Sequence, residues 1–450
     1  MLRHAPLGAL ALASLLGCVA PGLHARERAL AERIEATTPV AAVAIDDDPF
    51  VGQATLERGA LIREALRRNP GLHAANSARR AALARFPQVR ALEDPMLDTT
   101  LAPASFGSDA VDPGWRLGLS QALPFPGKRR LRGEVALAEA EAVSHAYEDE
   151  RLRLATAAST LYDAYYLAAR GLAQNAEHLA LVGEFSQAAL ARYETGSGPQ
   201  QDALLAEAEL AELLHAEIEF ETAQRRTQER INALLHRRPE LPLPPPPAAL
   251  PVPAPAALDV EALSERALAQ HPELHAARAR IAAREQAVAL ARREYFPDFT
   301  LTGAYDRIWQ ETQLQPMVGL ALNVPLQLGR RRGALEQAHA ELAQARSEAQ
   351  RAEDAVRLAV ASGADRLREA HHLVELSRDR MLPVARDRLL ASRAAFETGD
   401  GSFLELIDAE RRLRTAEYEH EEAVALLWRR HAELDRASAD LASLESGVRP

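Results

Sequence analysis

Two periodicities alternate along this chain, and the alternation occurs twice. Trp115, Leu117 and Leu119 interleave with Arg116, Gly118 and Ser120, while Val318, Leu320, Leu322 and Val324 interleave with Gly319, Ala321 and Asn323. Leu97 and Leu101 flank Asp98 and Thr100, and Phe299 and Leu301 alternate with Thr300 and Thr302. A repeat of two puts apolar residues on one strand face and small or polar residues on the other, so two strand pairs are predicted. Each segment is about 9–11 residues long, the length of a tilted strand crossing a bilayer. The bland alternative is two hairpins capping a helical domain.

Around the strands the period becomes helical. Short helices are predicted over about Leu56 to Arg68 and Val260 to Gln270. Second helices start at Pro70 and Pro272, where a first-turn proline is tolerated, and end before Asp94-Pro95 and Phe296-Pro297. After the strands, helix-forming stretches run from Lys128 to Thr195 and from Arg330 to Thr398. At 1.5 Å per residue each is about 100 Å long, wider than an ordinary globular core. Pro383 and Gly133, Gly171, Gly183, Gly333 and Gly363 interrupt them and are expected to mark bends. Gly196-Ser-Gly198-Pro199 and Gly399-Asp-Gly401-Ser402 end them, and another helix follows each turn, giving antiparallel hairpins. Leu210, Leu213, Leu214 and Ile218 form one packing stripe.

The second half duplicates the first. Leu61-Ile-Arg-Glu-Ala-Leu-Arg-Arg-Asn-Pro-Gly-Leu-His73 returns as Leu263-Ser-Glu-Arg-Ala-Leu-Ala-Gln-His-Pro-Glu-Leu-His275. Phe125-Pro-Gly-Lys-Arg129 returns as Gln327-Leu-Gly-Arg-Arg331, and Tyr193-Glu-Thr-Gly-Ser-Gly198 as Phe396-Glu-Thr-Gly-Asp-Gly401. So long a period excludes short solenoid repeats. The expected division is a signal segment at 1–17, a tether at 18–55 and a first repeat at 56–238. A Pro-rich linker at 239–257, a second repeat at 258–436 and a tail at 437–450, frayed after about Ser438, complete it. The linker, with prolines crowded between Pro239 and Pro255, reads as extended polyproline.

Among 450 residues the net charge is −11, which argues against nucleic acid as a partner. No run of about 18 apolar residues occurs beyond the N-terminus, so no transmembrane helix is expected. Arg3 and His4 precede an apolar stretch from Ala5 to Leu16, the form of a secretory signal. It ends in Leu15-Leu16-Gly17-Cys18, which resembles the bacterial lipoprotein box, so cleavage before Cys18 and its lipidation are expected. Ordinary cleavage near Ala25 is the alternative. Val19, rather than an aspartate, resembles lipoproteins sent on to the outer membrane. Cys18 is the only cysteine, which excludes an internal disulfide.

Four amphipathic strands cannot close a barrel, and open sheet edges are not tolerated in hydrocarbon. If the strands span a membrane, several copies share one barrel. Three copies supply twelve strands and two supply eight, whose interior side chains would fill.

The duplicated strands, the Phe-Pro-Gly-Lys-Arg turn and the tips Gly196-Ser-Gly-Pro-Gln-Gln-Asp202-Ala-Leu-Leu-Ala206 and Gly399-Asp-Gly-Ser-Phe-Leu-Glu405-Leu-Ile-Asp408-Ala409 resemble the outer-membrane efflux protein (TolC) family, over about residues 56 to 436. The resemblance implies a mainly α fold with a small membrane β-barrel. Each chain would carry a duplicated helix, β-hairpin and long-helix-hairpin repeat, and three would form a twelve-stranded barrel with a periplasmic α-helical tunnel. It also implies a bacterial outer-membrane location, a periplasmic membrane-fusion adaptor and an inner-membrane pump of the RND type as partners, and export as the activity. Cys18 and the Phe-Pro-Gly-Lys turn look most like members serving Cus- and Czc-type heavy-metal pumps for copper, silver, zinc or cobalt; small toxic compounds are the other cargo. The alternatives are a type I protein secretion duct in the same fold and a non-channel periplasmic coiled-coil structural lipoprotein.

Candidate site residues gather at the tips. Asp202, Asp400, Glu405 and Asp408 would each form a ring of carboxylates in a trimer, and such rings favour cations in a narrow pore. The alternative is a solvated tip, or acids near the positive end of a helix. Gly196, Gly198, Gly399 and Gly401 are candidates for adaptor docking, although tight turns alone explain them. No built-in metal site is expected. His73 and His275 match across the repeat and His371-His372 are adjacent, but neighbouring helical residues do not share a face, and four methionines give no soft-ligand cluster. No phosphate loop or nucleophile motif appears, so no cofactor and no enzymatic activity are expected.

Overall fold

The structure, a computed structural model, describes residues 21–37, 45, 48–107, 109–255, 258–309 and 311–447. The segment 1–17 and Cys18 lie outside the described residues. The element order repeats once. Helix α1 (Pro21–Ala36) precedes α2 (Arg58–Arg68), α3 (Pro70–Arg90), β1 (Met96–Ala102), β2 (Gly114–Leu123), α4 (Lys128–Glu194) and α5 (Gln200–Leu234). Then come α6 (Val260–Gln270), α7 (Pro272–Arg293), β3 (Phe299–Asp306), β4 (Pro316–Leu322) and α8 (Leu328–Leu376). A π turn over Ser377–Met381 leads into α9 (Leu382–Thr398), followed by α10 (Phe403–Ala437) and α11 (Leu441–Ser446). The strands have 7, 10, 8 and 7 residues, so most are shorter than the alternating sequence segments, whose ends run past the hydrogen-bonded ladder.

The chain divides into two compact units. The first comprises Met1–Thr38, Asn76–Ala146 and Glu273–Ala352. The second comprises Pro39–Ala75, Tyr147–Pro272 and Glu353–Pro450.

The first unit holds the strands and a surprise at its N-terminus. Residues expected as an irregular tether form α1 instead. Leu23, Leu30 and Ile34 fall on one stripe and pack on Phe86, Leu137 and Ala140, which supplies the burial a short isolated helix lacks. Arg79, fully buried, donates to the Ile34 carbonyl (3.0 Å) and to Thr37 Oγ1 (2.7 Å), placing a cation on the carbonyl end of α1. At Gly133 a side chain would run into Arg90 and Phe86, so the glycine permits close packing of α4.

In the second unit Phe50, Leu56, Leu61, Ile62 and Leu72 pack with Tyr162, Tyr165, Ile231 and Leu235. Inside this core Arg58 pairs with Asp163 at 2.5 Å, and its guanidinium lies 4.6 Å from the ring centres of both Tyr162 and Trp428. The Pro-rich segment is extended, as its prolines dictate, largely exposed, and pinned at several points. Tyr165 donates to the Pro244 carbonyl (3.3 Å), Trp428 Nε1 to that of Pro251 (2.9 Å) and the Leu56 amide to that of Pro245 (2.8 Å). The expected frayed tail is instead α11, capped by Asp440 onto the Ser443 amide (2.9 Å) and anchored by buried Leu444. Gly171 and Gly363 stay helical and face Phe220 and Leu434 at close range. The one break in the long helices is the π turn before Pro383, where widening relieves the clash a proline ring makes with the preceding turn.

Candidate functional site

The strands form one antiparallel sheet in the order β1-β2-β3-β4, joining the hairpins of both repeats. Its register converts the alternating sequence into two surfaces. Leu97 lies opposite Leu119, Leu101 opposite Trp115, Leu117 opposite Tyr305, Leu301 opposite Leu320 and Phe299 opposite Leu322. These residues share one face because pairing preserves sidedness. The other face carries Asp98, Thr100, Arg116, Gly118, Ser120, Thr300, Thr302 and Gly319. The apolar face is bare: Leu97 is 68%, Leu320 67% and Val318 85% exposed. A contiguous apolar surface of this kind is costly against water and marks contact with something apolar. The small and polar opposite face suits water.

Aromatic residues mark both ends. Trp115 and Tyr305 lie 5.6 Å apart at one end, and Phe125 stacks on Phe296 (4.7 Å) and Phe299 (6.3 Å) at the other. Aromatic girdles border the apolar band of membrane β-sheets.

The helix–strand junction explains the duplicated Gly-Lys-Arg and Gly-Arg-Arg motifs. Arg129 Nε donates to the carbonyl of Arg90 at the end of α3 (2.8 Å), and Arg331 Nε donates to the carbonyl of Glu294 beyond α7 (2.8 Å). Each arginine thus closes the carbonyl end of the helix that leads into its strand pair. Gly127 has φ +95°, a left-handed conformation that gives the turn entering α4. Lys128 is buried and sits 2.9 Å from Asp298 Oδ1 and 3.2 Å from Glu294 Oε2.

The backbone hydrogen bonds of the two tip turns correspond. At the first, the amides of Ser197 (2.8 Å) and Gly198 (3.0 Å) donate to the Arg192 carbonyl; at the second, those of Asp400 and Gly401 (2.9 Å each) donate to that of Ala395. Gly196 (φ +73°) and Gly399 (φ +87°) take the left-handed conformation, whereas Gly198 and Gly401 admit a close pass over Arg192 and Ala395. One residue that sequence reasoning missed joins the tips. Arg192 donates to the Phe396 carbonyl (3.0 Å) and covers the Phe396 ring at 4.5 Å. Its repeat counterpart is Ala395, so nothing in the pattern distinguishes it as a bridge.

The acidic candidates have different surroundings. Glu405 closes a capping box with Ser402: its carboxylate accepts from the Ser402 amide (3.1 Å), and its amide donates to Ser402 Oγ (3.2 Å). Asp408 pairs with Arg388 at 2.5 Å. Among the described residues, Asp400 accepts only the Thr398 hydroxyl from side chains (3.1 Å), and it is exposed. Asp202 lies in the first turn of α5, where partial burial pushes its carboxyl up against the opposing pull of Arg192.

Deeper in the hairpins lies a charge cluster that the sequence did not disclose. His178 of α4 sits between Glu410 (2.9 Å) and Glu417 (3.0 Å) of α10. Burial alone depresses its basicity, but the two carboxylates win and raise it to about 9. Glu209 of α5, fully buried, is held by Arg411 and by Arg414 (3.0 Å). His73 turns to the Arg67 carbonyl (3.1 Å).

Among known structures, the fold is similar to the outer membrane protein VceC from Vibrio cholerae, at 18% identity over 85% of this chain and 96% of that one, with a TM-score of 0.72. It is similar to CusC, described in terms of folding and transmembrane channel formation, at 18% identity over 89% and 97%, with a TM-score of 0.73. It is also similar to the open state of the MtrE outer membrane channel of Neisseria gonorrhoeae, at 18% identity over 89% and 96%, with a TM-score of 0.66. No curated protein sequence matches the chain. The profile of outer membrane efflux proteins matches residues 61–236 and again 263–439, one match per repeat, and the chain belongs to the outer membrane efflux protein family.

Proposed function

We propose that three copies of this chain close their sheets into a twelve-stranded outer-membrane barrel, continuous with a periplasmic helical tunnel, and act as the exit duct of a tripartite efflux system. The observation that carries this reading is the four-stranded sheet itself, apolar and exposed on one face, with β1 and β4 as its two outer strands. Hydrocarbon does not tolerate open strand edges, so a sheet with such a face requires edge-to-edge closure with other copies. The chain supplies a passage, not a reaction; energy comes from an inner-membrane RND pump, coupled through a periplasmic adaptor that meets the glycine tips at Gly196, Gly198, Gly399 and Gly401. Lipidation of Cys18 anchors the N-terminus to the same membrane.

The cargo we infer is heavy-metal cations or small toxic compounds, a reading supported by the Phe-Pro-Gly-Lys turn. Of the acidic candidates, Asp400 and Asp202 are the freest to present a charged ring at the entrance. Glu405 and Asp408 spend their charge on a helix cap and an arginine.

Purified protein in planar bilayers tests the reading. A detergent-soluble trimer with steady conductance is expected, and Asp400→Asn should reduce cation selectivity. A rod that stays soluble without detergent and passes no ions refutes the duct. Deleting the gene and testing sensitivity to copper, silver, zinc, cobalt and antibiotics identifies the cargo.

A further inference from the structure

We propose that Arg330 of one copy forms an ion pair with the Glu93–Asp94 linker of the next, an intermolecular lock laid out by the chain's own internal repeat. The inference rests on the closed-barrel reading above and adds to it the residues that choose the neighbour.

One such pair already exists within a single chain. The end of β2 lies beside the start of β3, because the strands are antiparallel neighbours, with Leu123 opposite Phe299. Lys128, just past β2, therefore reaches the linker between α7 and β3 and binds its two carboxylates, Glu294 and Asp298. Arg330 holds the place of Lys128 in the second repeat: it follows β4 as Lys128 follows β2 and precedes the helix-closing Arg331 as Lys128 precedes Arg129. The linker between α3 and β1 holds the place of the α7–β3 linker and also carries two carboxylates, Glu93 and Asp94, which lie between Leu92 and Met96, the counterparts of Glu294 and Asp298. Within one chain these groups cannot meet as their counterparts do, because β4 and β1 are the opposite edges of the sheet.

The charges accordingly stand idle. Arg330, Glu93 and Asp94 are exposed, and among the described residues none forms a side-chain ion pair; Glu93 offers only its carbonyl, to Gln121 (2.7 Å). If β4 of one copy pairs antiparallel with β1 of the next, the end of β4 comes beside the start of that β1. The unused cation and the unused carboxylates then occupy the relation already realised by Lys128. A second copy of this chain is the partner with complementary charge at that position.

The test uses the full chain in detergent, with wild type, whose only cysteine is Cys18, as control. The Arg330→Cys/Asp94→Cys variant, treated with a short bismaleimide, should give covalent dimers and trimers, and Lys128→Cys/Asp298→Cys should give a bridge within one chain. Independently, Arg330→Glu should lower the temperature at which the trimer dissociates by several degrees, and adding Glu93→Lys/Asp94→Lys should restore most of it. Cross-linked ladders with charge-swap rescue support the lock. A wild-type trimer without ladders, or a loss that the swap does not rescue, overturns the lock and leaves the barrel standing. A monomeric wild type in detergent overturns both.

Discussion

Helix α4 of the first repeat runs 67 residues without a break and buries Leu137, Tyr147, Tyr162, Tyr166 and Phe185 along its length. Its counterpart in the second repeat is interrupted at Ser377–Met381 and leaves Leu358, Leu376, Val384 and Leu390 at the surface. Yet both preceding helices are closed by an arginine from the Gly-Lys-Arg or Gly-Arg-Arg motif, and both tips turn on a left-handed glycine. Local code is therefore conserved between the copies, while the surroundings are divided. One long helix is wrapped by its own chain. The other shows an apolar stripe outward, as an element would whose partner belongs to another molecule.

The sharpest way to break the comparison is in the core. The buried Arg58–Asp163 pair belongs to the first repeat alone; Val260 stands in the place of Arg58. Arg58→Ala should cost about 3–5 kcal/mol in chemical denaturation, since it removes the ion-pair partner of a fully buried carboxyl group. Arg58→Met with Asp163→Leu should lose far less.

Next comes His178. Its pKa is raised from 6.5 to about 9, so its contribution is complete below about pH 6.5 and fades as pH rises through about 9. Thermal melts from pH 7 to 10 should fall for wild type. His178→Gln should flatten that fall and lose on the order of 1–2 kcal/mol at pH 7, the full shift being reduced for solvent screening.

The tips sharpen the likeness rather than the contrast. Gly196→Ala and Gly399→Ala should each cost about 1–2 kcal/mol, because a side chain meets no obstacle at either site and only the left-handed backbone resists it. A markedly unequal pair of losses would show that the tips differ in more than sequence. The smallest effect separates the caps. The second tip has a capping box, and the first begins α5 at Pro199 with no side-chain cap. Ser402→Ala should lose about 1 kcal/mol and Pro199→Ser should gain a few tenths, read from unfolding midpoints.

Much of the architecture was legible because it is written in short-range periodicity. The alternation around Leu117 and Leu320 gave strands and faces, and the glycine turns gave hairpin ends. What stayed hidden depends on meetings between distant positions. Nothing around His178 announces Glu410 and Glu417, which arrive from more than 200 residues away. Arg192 reads as one more helix arginine until its reach across to Phe396 is seen. The N-terminal helix was missed because its stripe of Leu23, Leu30 and Ile34 is sparse, and only the surface it covers makes it helical. Among the acids, the pattern named Glu405 and Asp408 without revealing that a serine and an arginine already occupy them.

The proline-rich strap has a bearing on how a doubled gene settles into one protein. A joint of ordinary residues laid along the surface would bring amides demanding partners and would invite a further strand. Proline removes most of those donors, and the carbonyls of Pro244, Pro251 and Pro245 are taken by Tyr165, Trp428 and the Leu56 amide. The seam between the two repeats is thereby fastened to the helices without adding a sticky edge, and a single cut there would leave its ends held in place.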